Sequence, residues 1–234
     1  MAAAYVGTFG GAETSSFGFT VGWVTTREIV AGEHVVVVSA NRELASVTVG
    51  ALSLAEDFEI SNGEIRVWSA RATGTITIGS TVTLTKSSES TGLTGVGEVL
   101  SGVATSSWLG DTAETISGFG GSPATGTTDG TPAVDDLAMA FVLATGDVTA
   151  VDSGFTFGGD DGTNPWGFGS TSGALQAATK TLTAGGATSA NFTQSPSGDY
   201  HAGIVVFKSG AVQTGGLARV DWSRFPRPVL RSRV

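Results

Sequence analysis

The chain of 234 residues contains no cysteine. That excludes a disulfide framework, a thiolate metal site and a cysteine nucleophile. Proline is scarce, six residues in all, so neither a collagen-like repeat nor a polyproline linker is present. Charged residues are only 14% of the chain, against roughly 25% in an average soluble domain. The longest uninterrupted apolar run, Leu137 to Ala144, is far short of a membrane-spanning helix. Met1-Ala2-Ala3-Ala4-Tyr5 carries neither a basic nor an apolar leader pattern, so no secretory signal is expected. With two histidines and two tyrosines, few side chains can move protons.

Small residues are abundant instead. Gly is 35, Thr 32 and Ser 25. Such a composition can mean disorder, but 40% of the residues are hydrophobic and are spread along the whole chain, which argues for a packed core. Charge is divided unevenly. Residues 1–210 hold seven Lys and Arg against twenty Asp and Glu, a formal −13. Residues 211–234 hold Arg219, Arg224, Arg227, Arg231 and Arg233 against Asp221, a formal +4. The acidic body repels nucleic acid and anionic membrane, whereas the basic arm is drawn to an acidic surface.

Periodicity favours strands almost everywhere. His34-Val35-Val36-Val37-Val38-Ser39-Ala40 is a β-branched run of the kind buried on both faces. A strand at 46–49 follows. Segments 58–60 and 64–70 flank Asn62-Gly63, a strong hairpin signal. Segments 75–78 and 81–85 alternate with period two, which places one face in a core and a Thr-rich face toward water. Further strands are expected at 136–144, 148–151, 155–157, 179–183, 187–193 and 200–208. Residues 86–107 and 117–134 read as long loops or weak edge strands. A short helix at 170–178 is a weak alternative, because Gly173 opposes it. Ten to twelve short strands with regular turns predict an all-β, two-sheet antiparallel sandwich over residues 1–210, followed by an extended arm at 211–234.

Asn191-Phe192-Thr193-Gln194-Ser195 leads through Ser197-Gly198-Asp199-Tyr200 into the strand from His201 to Lys208. A polar-aromatic strand, a turn and a small-residue aliphatic strand closing in Phe-Lys resembles the last hairpin of a jelly-roll family found among tailed-bacteriophage virion proteins. That family comprises minor tail, adhesion and capsid-decoration proteins. The Val-rich strand at 35–38, Val67-Trp68-Ser69-Ala70 and the Leu137–Ala144 strand after Asp135-Asp136 fit the same layout. The resemblance covers residues 1–210 and excludes the arm. It implies a jelly-roll-like sandwich on the exterior of a phage particle.

Catalytic patterns are thin. A Ser–His–Asp site needs a His as proton shuttle, but His34 and His201 each stand at the start of a strand, and no Gly-x-Ser-x-Gly elbow occurs. Glu56-Asp57, Asp135-Asp136 and Asp160-Asp161 are adjacent pairs. Neighbours in a strand point to opposite faces, whereas a glycosidase needs two carboxyls about 5–10 Å apart across one bond. Asp160-Asp161-Gly162-Thr163-Asn164 gathers oxygen ligands that suit calcium, but its spacing is not that of an EF-hand. Gly118-Phe119-Gly120-Gly121 does not fit a phosphate loop, and Asn191-Phe192-Thr193 is a sequon on a strand-like residue pattern. The expectation is a non-enzymatic protein without metal or cofactor.

Binding is better represented. After Gly215-Gly216, the arm interleaves Arg219, Trp222, Arg224, Phe225, Arg227, Leu230, Arg231 and Arg233. Aromatics with arginines are the composition of interface anchors, and Pro226 and Pro228 favour an extended path. Trp166, in Asn164-Pro165-Trp166-Gly167, is the best candidate for an exposed loop aromatic. The combined expectation is a virion structural protein whose arm docks on neighbouring tail or capsid subunits, with self-association into a symmetric oligomer and no nucleic-acid or membrane partner. A minor tail position is favoured over capsid decoration. The rival of another class is a carbohydrate-binding adhesion module, using Trp166 and Trp108 on a host glycan. The third reading, an enzyme, requires a cleft joining His34 or His201 to carboxylates.

Overall fold

The computed structural model describes residues 1–14, 18–40, 44–60, 64–90, 93–152, 154–157 and 174–210. Among these every regular element is a strand. The first eight are β1 (Ala4–Thr14), β2 (Gly18–Val24), β3 (His34–Ala40), β4 (Leu44–Val49), β5 (Leu52–Ile60), β6 (Ile65–Arg71), β7 (Thr81–Ser90) and β8 (Leu93–Ser101). They pair antiparallel in a nested set: β1 with β8, β2 with β7, β3 with β6 and β4 with β5. A two-stranded ribbon folded over on itself gives this order, β1-β8-β3-β6-β5-β4-β7-β2. That connectivity is a jelly roll. It is complete within residues 4–101, N-terminal to the 191–208 segment with which the family resemblance begins. The outer strands β1 and β2 come together where Thr26 N–H donates to Phe9 O at 3.0 Å, so the sheet nearly closes.

Alternation explains the interior. Val35 and Val37 point into the roll with Phe9, Val21, Leu44, Val47, Trp68, Val82, Leu84 and Val99. Val36 and Val38 point outward, into a second core. A strand buried on both faces therefore reads as an unbroken β-branched run. Each such side chain, fully buried, contributes about 1.5–3 kcal/mol over its exposed state.

The second core is closed by a further sheet. Its strands are β9 (Leu109–Gly120), β10 (Leu137–Ala144), β12 (Thr156–Phe157), β13 (Ala174–Thr181) and β15 (Gly198–Phe207), in the order β12-β13-β10-β15-β9. Leu137, Met139, Phe141, Val205 and Phe207 pack against Val36, Val38, Ile60, Val67 and Leu100 of the roll. The opposite face of the same sheet carries Ala138, Ala140, Val142, Ala202, Ile204 and Val206. This face is covered by the ribbon of β11 (Asp147–Val151) and β14 (Phe192–Ser195), through Val148 and Phe192. Roll, sheet and ribbon thus enclose three successive cores.

Five sequence expectations are corrected. Residues 75–78 form no strand; Ile76 makes one bridge to Ile29 and Ile78 is 66% exposed. Their Thr/Ile alternation lies in a turn region whose hydrogen bonds go to residues 25 and 29. Within 86–107, β8 is no loop but a central, buried strand between β1 and β3, because its glycines make room for rings from elsewhere. Residues 174–178 belong to β13, so the helix alternative fails where it can be seen. Residues 187–190 run irregularly before β14 and bond to the 121–131 segment, Ala190 N–H to Thr125 Oγ1 and Thr188 N–H to Thr128 Oγ1. Finally, β14 and β15 form no hairpin. The cis Ser195-Pro196 peptide lies between them, and β14 pairs with β11 while β15 lies between β10 and β9.

Candidate functional site

The arm residues Arg219, Trp222, Arg224, Phe225, Arg227, Leu230, Arg231 and Arg233, together with Trp166 and the Asp160-Asp161 loop, lie outside the described residues. The structure does fix the place from which the arm departs. Lys208 N–H donates to Trp108 O at 2.7 Å, Ala104 N–H to Lys208 O at 2.9 Å, and Gly210 N–H to Gly102 O at 2.6 Å. Ser209 N–H donates to Asp136 Oδ1 at 2.7 Å, and Ala133 N–H to Asp136 Oδ2 at 2.9 Å. Asp136, 5% exposed, is therefore a buried acceptor that holds residue 209, and Asp135 beside it sits at φ 71°. Their adjacency serves this turn and gives no paired-carboxylate chemistry.

Glu56-Asp57 divides in the same way. Glu56 accepts from Arg66 at 2.8 Å near the surface. The register shift between Glu56 and Phe58 turns Asp57 toward β6, where Ser69 Oγ donates to its carboxylate. Ser69 is also 2.8 Å from His34 Nε2. A hydroxyl has one proton to give, and here it goes to Asp57, so Nε2–H of His34 is the donor to Ser69. Nδ1 then carries a lone pair, buried and without a hydrogen-bond partner among the described residues. The His34 ring packs 5.0 Å from the Trp108 ring and 5.6 Å from Phe207.

Burial, with Arg71 nearby, lowers the His34 pKa to about 4. Burial raises that of Asp57, opposed by hydrogen bonds from Ser69 and Trp108. The order is Asp–Ser–His, with serine in the middle. A hydrolytic triad needs the imidazole between carboxylate and hydroxyl, and Ser69 has no exposed surface. The cluster therefore joins the roll to the second sheet and is not built to attack a substrate. The sequence singles out His34 and the Glu56-Asp57 pair, but nothing in it joins them through Ser69. The three residues come from three strands, and no local spacing links them.

His201 lies apart on β15, opposite Leu143. Of the tryptophans, Trp68 is buried and Trp23 half-buried in the roll. Trp108 is half-buried against the second core, so the expected exposed partner for Trp166 on a glycan platform does not lie there. Among the described residues no group of three His, Cys, Asp or Glu is placed to hold a metal ion. A shallow cleft of about 270 Å³ opens at one end of the roll, between residues 50–52 and the segment 72–80, with no charged or aromatic lining. No protein-family model, curated protein or solved structure matches the chain.

Proposed function

We propose that the chain is a non-enzymatic structural protein of a tailed-phage virion. It occupies the exterior of the particle as a minor tail protein and docks on neighbouring virion subunits through residues 211–234. The observation that carries this reading is the nested pairing of β1 to β8, a connectivity common in viral shell proteins and also in lectins. Fold alone does not decide function. The reading rests jointly on that fold and on the opposition of a −13 body to a +4 arm rich in arginine and large apolar groups. In this scheme Trp222, Phe225 and Leu230 bury against the neighbour, and the five arginines meet its acidic groups.

Immunogold labelling of intact particles from the source tests the proposal. Gold along the tail or at its tip supports it. Gold over the head makes the chain a capsid-decoration protein and the arm a capsid clamp. Absence of gold from every particle overturns the virion reading and leaves the lectin-like use of the same roll, a carbohydrate-binding module, as the next to test by glycan quenching of tryptophan fluorescence.

A further inference from the structure

The seam between the roll and the second sheet contains one imidazole with nowhere to place a second proton. His34 is 1% exposed. Its Nε2–H is committed to Ser69, whose own proton is committed to Asp57. Nδ1 has no hydrogen-bond partner among the described residues, and the ring is flanked by Trp108 and Phe207. A proton added at Nδ1 would be a buried donor without an acceptor and a buried charge in an apolar seam. We propose that this seam is an acid-labile joint, with His34 as its sensor and the packing of its ring against Trp108 and Phe207 as the part that loosens.

The charged and titratable groups around it favour this sign. On β6, Arg71 stands directly across from His34 in the ladder and repels an imidazolium. On β5, Asp57 accepts hydrogen bonds from Ser69 and from Trp108, both of which touch the ring. On β8, Leu100 is opposite His34 and Glu98, buried, lies two residues along the strand. On β1, Tyr5 faces Leu100. From the second sheet come Phe207, then Ser209 held by Asp136. The residues that flank His34 are also the residues that hold the arm's root, since Lys208 N–H donates to Trp108 O. Loosening the seam would therefore release the segment from which the arm leaves the body.

Proton uptake couples this joint to pH. In the unfolded chain His34 takes a proton near the ordinary histidine value of 6.5, but in the folded chain only at about 4. The unfolded state binds more protons between these values, so stability is intact above pH 6.5 and falls as the pH drops toward 4. Asp57, with a raised pKa, works in the opposite direction: its protonation in acid relieves a buried charge. The two contributions are separated by variants.

The test is urea unfolding from about pH 7 to pH 4, the window that the His34 shift defines, followed by tryptophan fluorescence, for the wild type and His34→Gln. Glutamine can donate to Ser69 as Nε2–H does, yet takes up no proton. The His34 linkage alone should lower the folding equilibrium constant by up to about tenfold per pH unit within the window, about 100-fold between pH 7 and pH 4, and Asp57 offsets part of this in the wild type. His34→Gln should lose markedly less than the wild type. An equal loss in His34→Gln overturns the proposal. If that variant does not fold, the imidazole C–H resonances of the native protein decide. With only two histidines, a His34 midpoint well below about 6 supports the joint, and a midpoint at about 6 or above sinks it.

Discussion

At the scale of single residues, the glycines of β8 reverse the meaning that composition suggests. Gly95 and Gly97 alternate with Val96 and face the interior of the roll. A Cβ on Gly97 would lie 2.3 Å from the Phe9 ring, and one on Gly95 would lie 2.8 Å from Leu84 and 3.3 Å from Trp23. The rings of Phe9 and Trp23, 6.4 Å apart, occupy the volume that β8 leaves open. Phe9 is completely buried, so its ring can yield only by displacing other core side chains. Gly97→Ala is therefore expected to destabilise the protein by about 1–3 kcal/mol, as overpacking does. Gly18→Ala, with nothing within 4 Å of the added Cβ, should change stability little. Urea midpoints of the two variants check this, and equal midpoints would refute the packing account. The sequence contains a signal here, since glycine within a strand marks close approach of another group. Only the partner was hidden, because Phe9 lies more than eighty residues away along the chain. The Asp57–Ser69–His34 chain was illegible for the same reason, being assembled from three strands.

At the scale of elements, strands with one kind of environment were readable. The run at 34–40 announced burial on both faces, and β5 and β6 do pair across residues 61–63, Ile60 opposite Ile65. Strands that are held by a neighbouring irregular segment were not. β9 has a polar sequence, yet its outer side is lined by residues 121–131, where Asp111 accepts from Asp129 N–H at 2.8 Å. The ribbon of β11 and β14 is likewise held by a side chain that no pattern flags. Gln194 is 3% exposed. Its amide donates to Gly120 O and Gly198 O, and its carbonyl accepts from Gly146 N–H at 3.1 Å. One glutamine thus ties the end of β9, the start of β15 and the turn before β11. Gln194→Ala would strand three backbone groups, each worth about 1–3 kcal/mol when left buried and unsatisfied. With partial relaxation and water entry, a net loss of about 2–4 kcal/mol is expected in chemical denaturation. Thr149→Ala, whose hydroxyl makes only a long exposed bond to Thr193 O, should lose well under about 1 kcal/mol. A Gln194→Ala loss no larger than that of Thr149→Ala would show that the ribbon is held by its apolar face alone.

At the scale of the whole molecule, the all-β class was legible from turn spacing and β-branched content, but the jelly-roll order was not. Nested pairing joins strands from opposite ends of residues 4–101, and periodicity carries no information about partners. The arm stands in the converse position: its composition is legible, but no pattern in it names the subunit on which it is proposed to dock. Among the described residues the three cores are built from residues between Ala3 and Phe207. Removing residues 211–234 should therefore leave the thermal midpoint of the body unchanged. Fully extended, those residues span at most about 80 Å, against a radius of gyration of about 17 Å for a body of this length. The arm can thus reach a neighbouring subunit while its root stays held at Ser209 and Gly210. If the arm docks as proposed, attraction between a +4 arm and a −13 body would make the association salt-sensitive, because exposed charges are screened within about 3 Å at 1 M salt. Light scattering at high protein concentration should show the full chain associating at low ionic strength and dissociating partly in about 1 M salt, where the apolar anchors remain. The truncated body should be monomeric in both. A full chain that stays monomeric throughout would count against symmetric self-association. A truncated body that assembles as well as the full chain would move the interface from the arm to the surface of the roll.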